Sequence, residues 1–152
     1  MKRQTRTIGS ILKIELGDQS HSYAMILDKA SIAVFNIKTR DELSAEEILN
    51  TDTLFIVAVY KSSITSGRWP KIHKSVLPEK FKVLPPKFIQ DPIQPWKFQL
   101  YEPNSGKMTD CSREDCLGLE CAAVWEAPHV ESRIVDHFNG VENKWVRLVS
   151  IK

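Results

Sequence analysis

The sequence predicts an α+β protein with a predominantly antiparallel β sheet or partly open barrel, a short helix near 44–50 and a C-terminal helix near 128–139. Short apolar runs separated by turn residues fill the first 60 positions, and apolar residues recur every four positions from Val130 to Phe138. With 152 residues, 42% of them hydrophobic and 26% charged, the chain has the composition of one globular domain. Residues 1–152 are therefore predicted to form a single domain.

Local patterns define the elements of the first half of the chain. Residues 8–16 alternate apolar and polar side chains, and the apolar runs 23–27 and 31–37 follow after turn residues. Together these segments predict a three-stranded antiparallel meander. Ser44 and Glu47 stand three positions apart, which is the spacing of a capping box and predicts the start of the first helix.

The second half mixes irregular segments with shorter elements. The run 53–60 is apolar on both faces, which predicts a central strand. Prolines interrupt 61–96, so this stretch is predicted to be a long loop layer wrapped on the sheet. The apolar run 119–125 fits either a strand or a helix. Further strands are predicted at 70–74, 80–84, 97–101 and 145–151.

Composition also excludes several classes of protein. No apolar run approaches the roughly 18 residues that a membrane span needs, and no signal-peptide pattern follows the basic N-terminus. The cysteines Cys111, Cys116 and Cys121 are odd in number, unlike a disulfide framework, and their spacing does not match zinc knuckles. We therefore expect a cytoplasmic protein with reduced thiols, no cofactor and no bound metal.

The net charge of +2 conceals two segments of opposite charge. Residues 61–100 carry eight basic and two acidic side chains, a local charge of +6. Residues 101–138 carry three basic and eight acidic side chains, a local charge of −5. The near-neutral total argues against a dedicated nucleic-acid binder. Either the two segments neutralise each other in the fold, or 101–138 forms an acidic face for a basic partner. The acidic face predicts that reversing Glu126 and Glu131 to lysine weakens partner capture with little effect on stability.

The sequence contains no glycine-rich phosphate loop, no HExxH motif and no GxSxG motif. The candidate cluster of polar residues lies on the C-terminal helix, where His129, Arg133 and Asp136 share a face at spacings of three and four. This face has three alternative interpretations: a partner-binding surface, a solvated helix side, or an acid–base pair of His129 with Asp136. Metal binding by His129 and His137 is disfavoured, because eight residues of helix separate them by about 12 Å.

Trp69 is the candidate aromatic anchor among the four tryptophans. Turn residues surround it in the segment 66–70, which favours a position near the surface. Tryptophan is enriched at the energetic centres of protein interfaces. Packing in the core is the alternative interpretation, because tryptophan is largely buried on average.

Several segments carry a resemblance to a known family, among them the apolar runs 23–27 and 32–35. Residues 6–14 read RTIGSILKI, residues 67–72 read GRWPKI, and residues 118–140 read GLECAAVWEAPHVESRIVDHFNG. These segments resemble the immunity protein 26 family of bacterial polymorphic toxin systems, over roughly positions 6 to 151. The block 118–140 is the most specific part of the resemblance.

The resemblance implies an immunity protein, which is not an enzyme and neutralises a cognate toxin protein by tight binding and occlusion. A structural alternative pairs Glu120 with Arg133 beneath the helix. A β-barrel module that binds a small ligand or nucleic acid through the basic segment 61–100 is the alternative function. The candidate partner-binding residues are Trp69, Glu120, Trp125, Glu126, His129, Glu131, Arg133 and Asp136.

Overall fold

The chain forms two mixed β sheets with five short helices around them, as described by a computed structural model of residues 1–152. The strands are Ser10–Glu15 (β1), His21–Ile26 (β2), Ser31–Phe35 (β3), Thr53–Val59 (β4), Lys71–Lys74 (β5), Lys87–Gln90 (β6), Phe98–Glu102 (β7), Lys107–Cys111 (β8), Glu120–Cys121 (β9) and Val124–Trp125 (β10). The helices are Ala45–Leu49 (α1), Ser62–Thr65 (α2), Arg113–Cys116 (α3), Ala127–Phe138 (α4) and Lys144–Val149 (α5). The predicted α+β class with mostly antiparallel strands is confirmed, and neither sheet closes into a barrel.

The larger sheet has six strands in the order β10-β4-β3-β2-β1-β5. The meander predicted for the first three strands is confirmed, because β2 pairs antiparallel with both β1 and β3. The central position predicted for β4 is wrong. This strand lies beside the edge strand β10, and its side chains alternate between half-buried and buried along most of its length. The central strands are β2 and β3, in which every residue is buried.

Both faces of the six-stranded sheet are covered, which explains why its central strands are apolar on both sides. One face packs against α4 and Trp69, in a core that includes Val130 and Ile134. The other face packs against α1 through Ile48, together with Phe81 and further apolar side chains. The capping box predicted for α1 is present, with Ser44 and Glu47 bonding each other's backbone N–H groups.

The second sheet has four strands in the order β8-β7-β6-β9 and packs around Phe88, Phe98 and Cys116. The strands β6 and β5 lie within 61–96, a stretch that was predicted to be mostly loop. The strand predicted at 97–101 is confirmed as β7. The strand predicted at 70–74 is confirmed as β5. The strand predicted at 80–84 is wrong, because residues 79–81 form a 3-10 turn that buries Phe81.

The C-terminal helix predicted at 128–139 is confirmed as α4. Pro128 lies in its first turn, and Gly140 with φ +68° follows its end. The strand predicted at 145–151 is wrong, because this segment contains the helix α5. Its half-buried residues Trp145, Val146 and Val149 pack against the main core. Val146 and Val149 follow Trp145 by one and four positions, which places the three side chains on one face of a helix. No helix of the structure has both the length and the apolar character needed to cross a membrane.

Candidate functional site

The predicted site residues gather around α4, where polar contacts join this helix to both sheets and to α5. The first of these contacts is an ion pair between Arg133 on α4 and Glu120 on β9. Both guanidinium nitrogens Nη1 and Nη2 donate to the carboxylate, each at 2.8 Å. The pairing of Glu120 with Arg133 that was predicted as a structural alternative is therefore confirmed.

Aromatic rings enclose the same guanidinium group. Its central carbon lies 3.8 Å from the ring centroid of Phe55 and 5.1 Å from that of Trp125. Only 15% of the Arg133 side chain is exposed. A cation over aromatic faces is stabilised by the ring quadrupole, more strongly when water is excluded. Arg133 thus joins three elements: α4, the smaller sheet through β9 and the larger sheet through β4.

The second contact joins α4 to the segment before β5. Arg68 donates from Nε and Nη2 to the carboxylate of Glu131 at 2.8 and 2.9 Å. The indole Nε1 of Trp69 donates to the same carboxylate at 2.8 Å. The hydrogen bond with Glu131 also raises the pKa of the Arg68 guanidinium above its usual range.

Trp69 does not lie at the surface, because its side chain is 0% exposed, and packing in the core, the other interpretation of this residue, is confirmed. The turn at Gly67, with φ +85°, aims the ring into the core of the larger sheet. Its one polar group is satisfied by Glu131, as a buried indole requires. Trp69 is therefore a core residue with a charged hydrogen-bond partner.

The third contact joins α4 to α5, and the fourth joins α4 to Asn143, the residue that caps the start of α5. The ring of His129 stacks on Trp145, with centroids 3.5 Å apart and planes at 17°. Glu126 approaches His129 at 3.9 Å, and its side chain is 61% exposed. Asp136 instead accepts a hydrogen bond from Asn143 at 2.9 Å. His129 and Asp136 therefore have different partners, and the structure does not join them as an acid–base pair.

Asn143 connects both helices from a buried position. Its Nδ2 donates to Ser132 and Asp136 on α4, and its Oδ1 accepts from the backbone N–H groups of Trp145 and Val146 on α5. Replacing it by alanine removes the cap and leaves the Asp136 carboxylate without this donor. We expect Asn143→Ala to lower the free energy of unfolding by about 2 kcal/mol in urea titration. Asn139→Ala, at the exposed residue that follows the end of α4, is the control and should change stability far less. Equal losses in the two variants would contradict this prediction.

The opposed charge segments partly neutralise each other. Arg68 of the basic segment pairs with Glu131 of the acidic segment. Other basic side chains of 61–100 are also engaged: Lys82 pairs with Glu79, and Lys87 is buried in β6. These contacts do not favour the alternative function, in which the protein binds a small ligand or nucleic acid through 61–100, because that function needs the basic side chains to be free. No group of three or more His, Cys, Asp or Glu side chains is placed to hold a metal ion.

The exposed tryptophan of the molecule is Trp96, which the sequence interpretation did not select. It is 71% exposed, in the loop 91–97 between β6 and β7, and Ile93 of the same loop is 85% exposed. Asp91 shapes this loop by accepting the backbone N–H groups of Ile93 and Gln94, each at 2.9 Å. The sequence contains one signal for this exposure. Pro92 and Pro95 cannot donate backbone hydrogen bonds to a sheet, so residues 91–97 form a loop.

Several surface cavities lie beside exposed apolar side chains, including the following two. A cavity of about 530 Å³ lies beside the loop 91–97 and is lined by Trp96, Asp91 and Asp110 among others. A second cavity, of about 230 Å³, lies between β10 and α5, with Tyr60 and Leu148 at its wall. These two places combine concave shape with exposed apolar surface, the usual features of binding sites.

The fold and these contacts define a small two-sheet α+β protein whose predicted site residues mostly hold its own elements together. Residues 7–99, more than half of the chain, match the family model described as Immunity protein 26. The chain belongs to this family, as the resemblance in its sequence implied, and the family name assigns it an immunity role. The matched range includes the loop 91–97 and ends before the block 118–140. The chain matches no curated protein and no solved structure.

Proposed function

We propose that this protein neutralises a cognate bacterial toxin in the cytoplasm by binding it and occluding a surface that the toxin needs. It does so without catalysis and without a cofactor. The observation that carries this proposal is membership of the immunity protein 26 family over residues 7–99. Immunity by occlusion requires a stable surface that is complementary to one partner.

The contacts around α4 support a preformed surface. The ion pairs of Arg133 and Glu131, and the four hydrogen bonds of Asn143, fix the helices relative to both sheets. Binding through a surface that is already ordered costs less conformational entropy than binding through a mobile one. In this proposal, Trp69, Glu120, Trp125, Glu131, Arg133 and Asp136 act on toxin binding only through the fold. Glu126 and His129, which line the smaller cavity beside Leu148, form an alternative contact surface.

Fewer carboxylates of 101–138 are free to form an acidic face than the sequence predicted. Glu120 and Glu131 are neutralised by arginine partners. Apart from Asp136, which accepts a hydrogen bond from Asn143, four exposed or half-exposed carboxylates of 101–138 have no ion-pair partner in the structure. These are Glu102, Asp110, Glu114 and Asp115. We propose that these carboxylates, with Glu126, favour a basic toxin surface and raise the association rate.

Growth rescue tests the proposed function. The protein is co-expressed in a sensitive host with the toxin domain encoded beside it, and the survivors are counted. We expect rescue together with a complex that survives size-exclusion chromatography. An absence of rescue, with both proteins expressed and folded, would contradict the proposal.

The purified proteins separate occlusion from catalysis. Increasing amounts of the protein are added to a fixed amount of toxin, and the residual toxin activity is measured. Occlusion predicts that inhibition is complete at about one protein per toxin, because each complex removes one toxin molecule. Complete inhibition by a small fraction of an equivalent would instead indicate that the protein modifies the toxin catalytically.

A further inference from the structure

We propose that the toxin-contacting surface is centred on the loop 91–97, and that the cavity between this loop and β8 receives an arginine side chain of the toxin. This inference rests on the proposed function and adds the surface and the chemistry of its occupant. It does not use the residues that hold α4 in place.

The first step of the argument is the exposed apolar surface at the loop. Trp96 and Ile93 are 71% and 85% exposed in one short segment. Leaving an indole in water forgoes the stabilisation that its burial would give. Tryptophan anchors with apolar neighbours are the residues that contribute most to protein interfaces when a partner covers them.

The second step is the charge beside the indole. Asp91 and Asp110 line the same cavity of about 530 Å³ as Trp96, and neither carboxylate forms an ion pair within the protein. Backbone hydrogen bonds from Gln94 and Ile93 lower the pKa of Asp91, so this group is a carboxylate at neutral pH.

The remaining lining groups leave the cavity anionic. Asp110 accepts one hydrogen bond, from the amide of Gln99 at 3.2 Å, and keeps further acceptor positions. Lys97 also lines the cavity and contributes one positive charge. Two carboxylates against one ammonium group give a net charge of −1. The cavity therefore complements a cation.

The third step selects the occupant. A guanidinium group is planar, stacks on an indole and donates several hydrogen bonds to carboxylates in a fixed arrangement. An aromatic wall flanked by two carboxylates offers both kinds of contact. Arginine is also enriched at protein interfaces, so a basic toxin surface with a projecting arginine fits this cavity. The smaller cavity beside Leu148 is walled mainly by apolar side chains and has no comparable charge pair.

The experiment measures the dissociation constant of the toxin complex for five proteins: the wild type, Trp96→Ala, Asp91→Asn, Asp110→Asn and Leu148→Ala. Asparagine keeps the acceptor oxygen that Asp91 uses for its turn and Asp110 for Gln99. These variants therefore retain the local hydrogen bonds, remove the negative charge and replace the second oxygen by a donor. Leu148 is 65% exposed beside the other cavity and provides the matched control. Thermal unfolding of each variant verifies that the fold is retained.

We expect Trp96→Ala to weaken toxin binding at least about thirtyfold, as for a hot-spot residue. Each asparagine variant should weaken binding about fivefold, as for a partly exposed ion pair. Leu148→Ala should change it less than twofold. Wild-type affinity in a folded Trp96→Ala variant, or a larger loss in Leu148→Ala, would overturn the surface assignment and leave the proposed function standing.

A second measurement needs no toxin and keeps the two proposals separable. N-acetyl-arginine amide is titrated into the protein, and the indole N–H signal of Trp96 is followed by NMR. N-acetyl-citrulline amide, which has a similar shape and no charge, is the control probe. We expect a saturable shift with the arginine probe alone, lost in the Asp91→Asn and Asp110→Asn variants. Equal shifts from both probes, or none from either, would overturn the assignment of the cavity.

Discussion

Arg133→Ala is expected to lower the free energy of unfolding by about 3 kcal/mol in urea titration. The substitution removes two charge-assisted hydrogen bonds to Glu120 and the stacking of the guanidinium group on Phe55 and Trp125. It also leaves the Glu120 carboxylate without its counter-ion. Breaking one partner of a fully buried pair costs about 3 to 5 kcal/mol. We expect the lower end of that range because the Glu120 side chain is 31% exposed.

A surface pair in the same protein provides the control. Arg147 lies 3.8 Å from Glu142, and both side chains are about two-thirds exposed, at 66% and 67%. Arg147→Ala should therefore change stability by about 0.5 kcal/mol or less. In a double-mutant cycle, Glu120→Gln combined with Arg133→Ala should cost less than the sum of the single changes, because the two residues interact. Additive losses, or similar losses for Arg133→Ala and Arg147→Ala, would contradict the coupling.

Glu131→Ala is expected to lower the free energy of unfolding by about 2 to 3 kcal/mol. One carboxylate accepts three hydrogen bonds, two from Arg68 and one from the indole of Trp69. Because Trp69 is fully buried, its N–H group loses the acceptor that satisfies it. An unsatisfied buried donor costs about 1 to 3 kcal/mol, and lost hydrogen bonds to a charged group add to that cost.

Glu131→Gln separates the charge from the hydrogen bond. Its side-chain oxygen can still accept from Trp69, so it should lose less stability than Glu131→Ala. Glu126→Ala, at the residue that precedes the same helix, is the control, since Glu126 is mostly exposed and its ion-pair partner is His129 at 3.9 Å. A loss in Glu131→Ala no greater than that in Glu126→Ala would contradict the role of the carboxylate in holding Trp69.

The same contacts correct an expectation drawn from charge alone. Reversing Glu126 and Glu131 together was predicted to weaken partner capture with stability nearly unchanged. Glu131 is a folding residue, so this double variant should lose stability through Arg68 and Trp69. Glu126→Lys alone tests the surface charge without disturbing the fold.

Local sequence patterns determined many of the strands and helices of this protein. The three strands of the first meander, the capping box at Ser44 and Glu47, and the apolar stripe of α4 all formed as predicted. Each of these features depends on residues a few positions apart, whose side chains already favour one backbone conformation. The pairing of Glu120 with Arg133 was also proposed from the sequence, as one structural alternative.

Only the tertiary structure decided where β4 lies, which conformation 145–151 adopts, and which tryptophan is exposed. Trp145, Val146 and Val149 alternate poorly as a strand, and the core they contact selects a helix capped by Asn143. Trp69 lies among turn residues, yet Glu131, some 60 positions later, satisfies its N–H and allows its burial. Burial depends on which distant residues pack or pair with a side chain, and a local pattern does not contain that information.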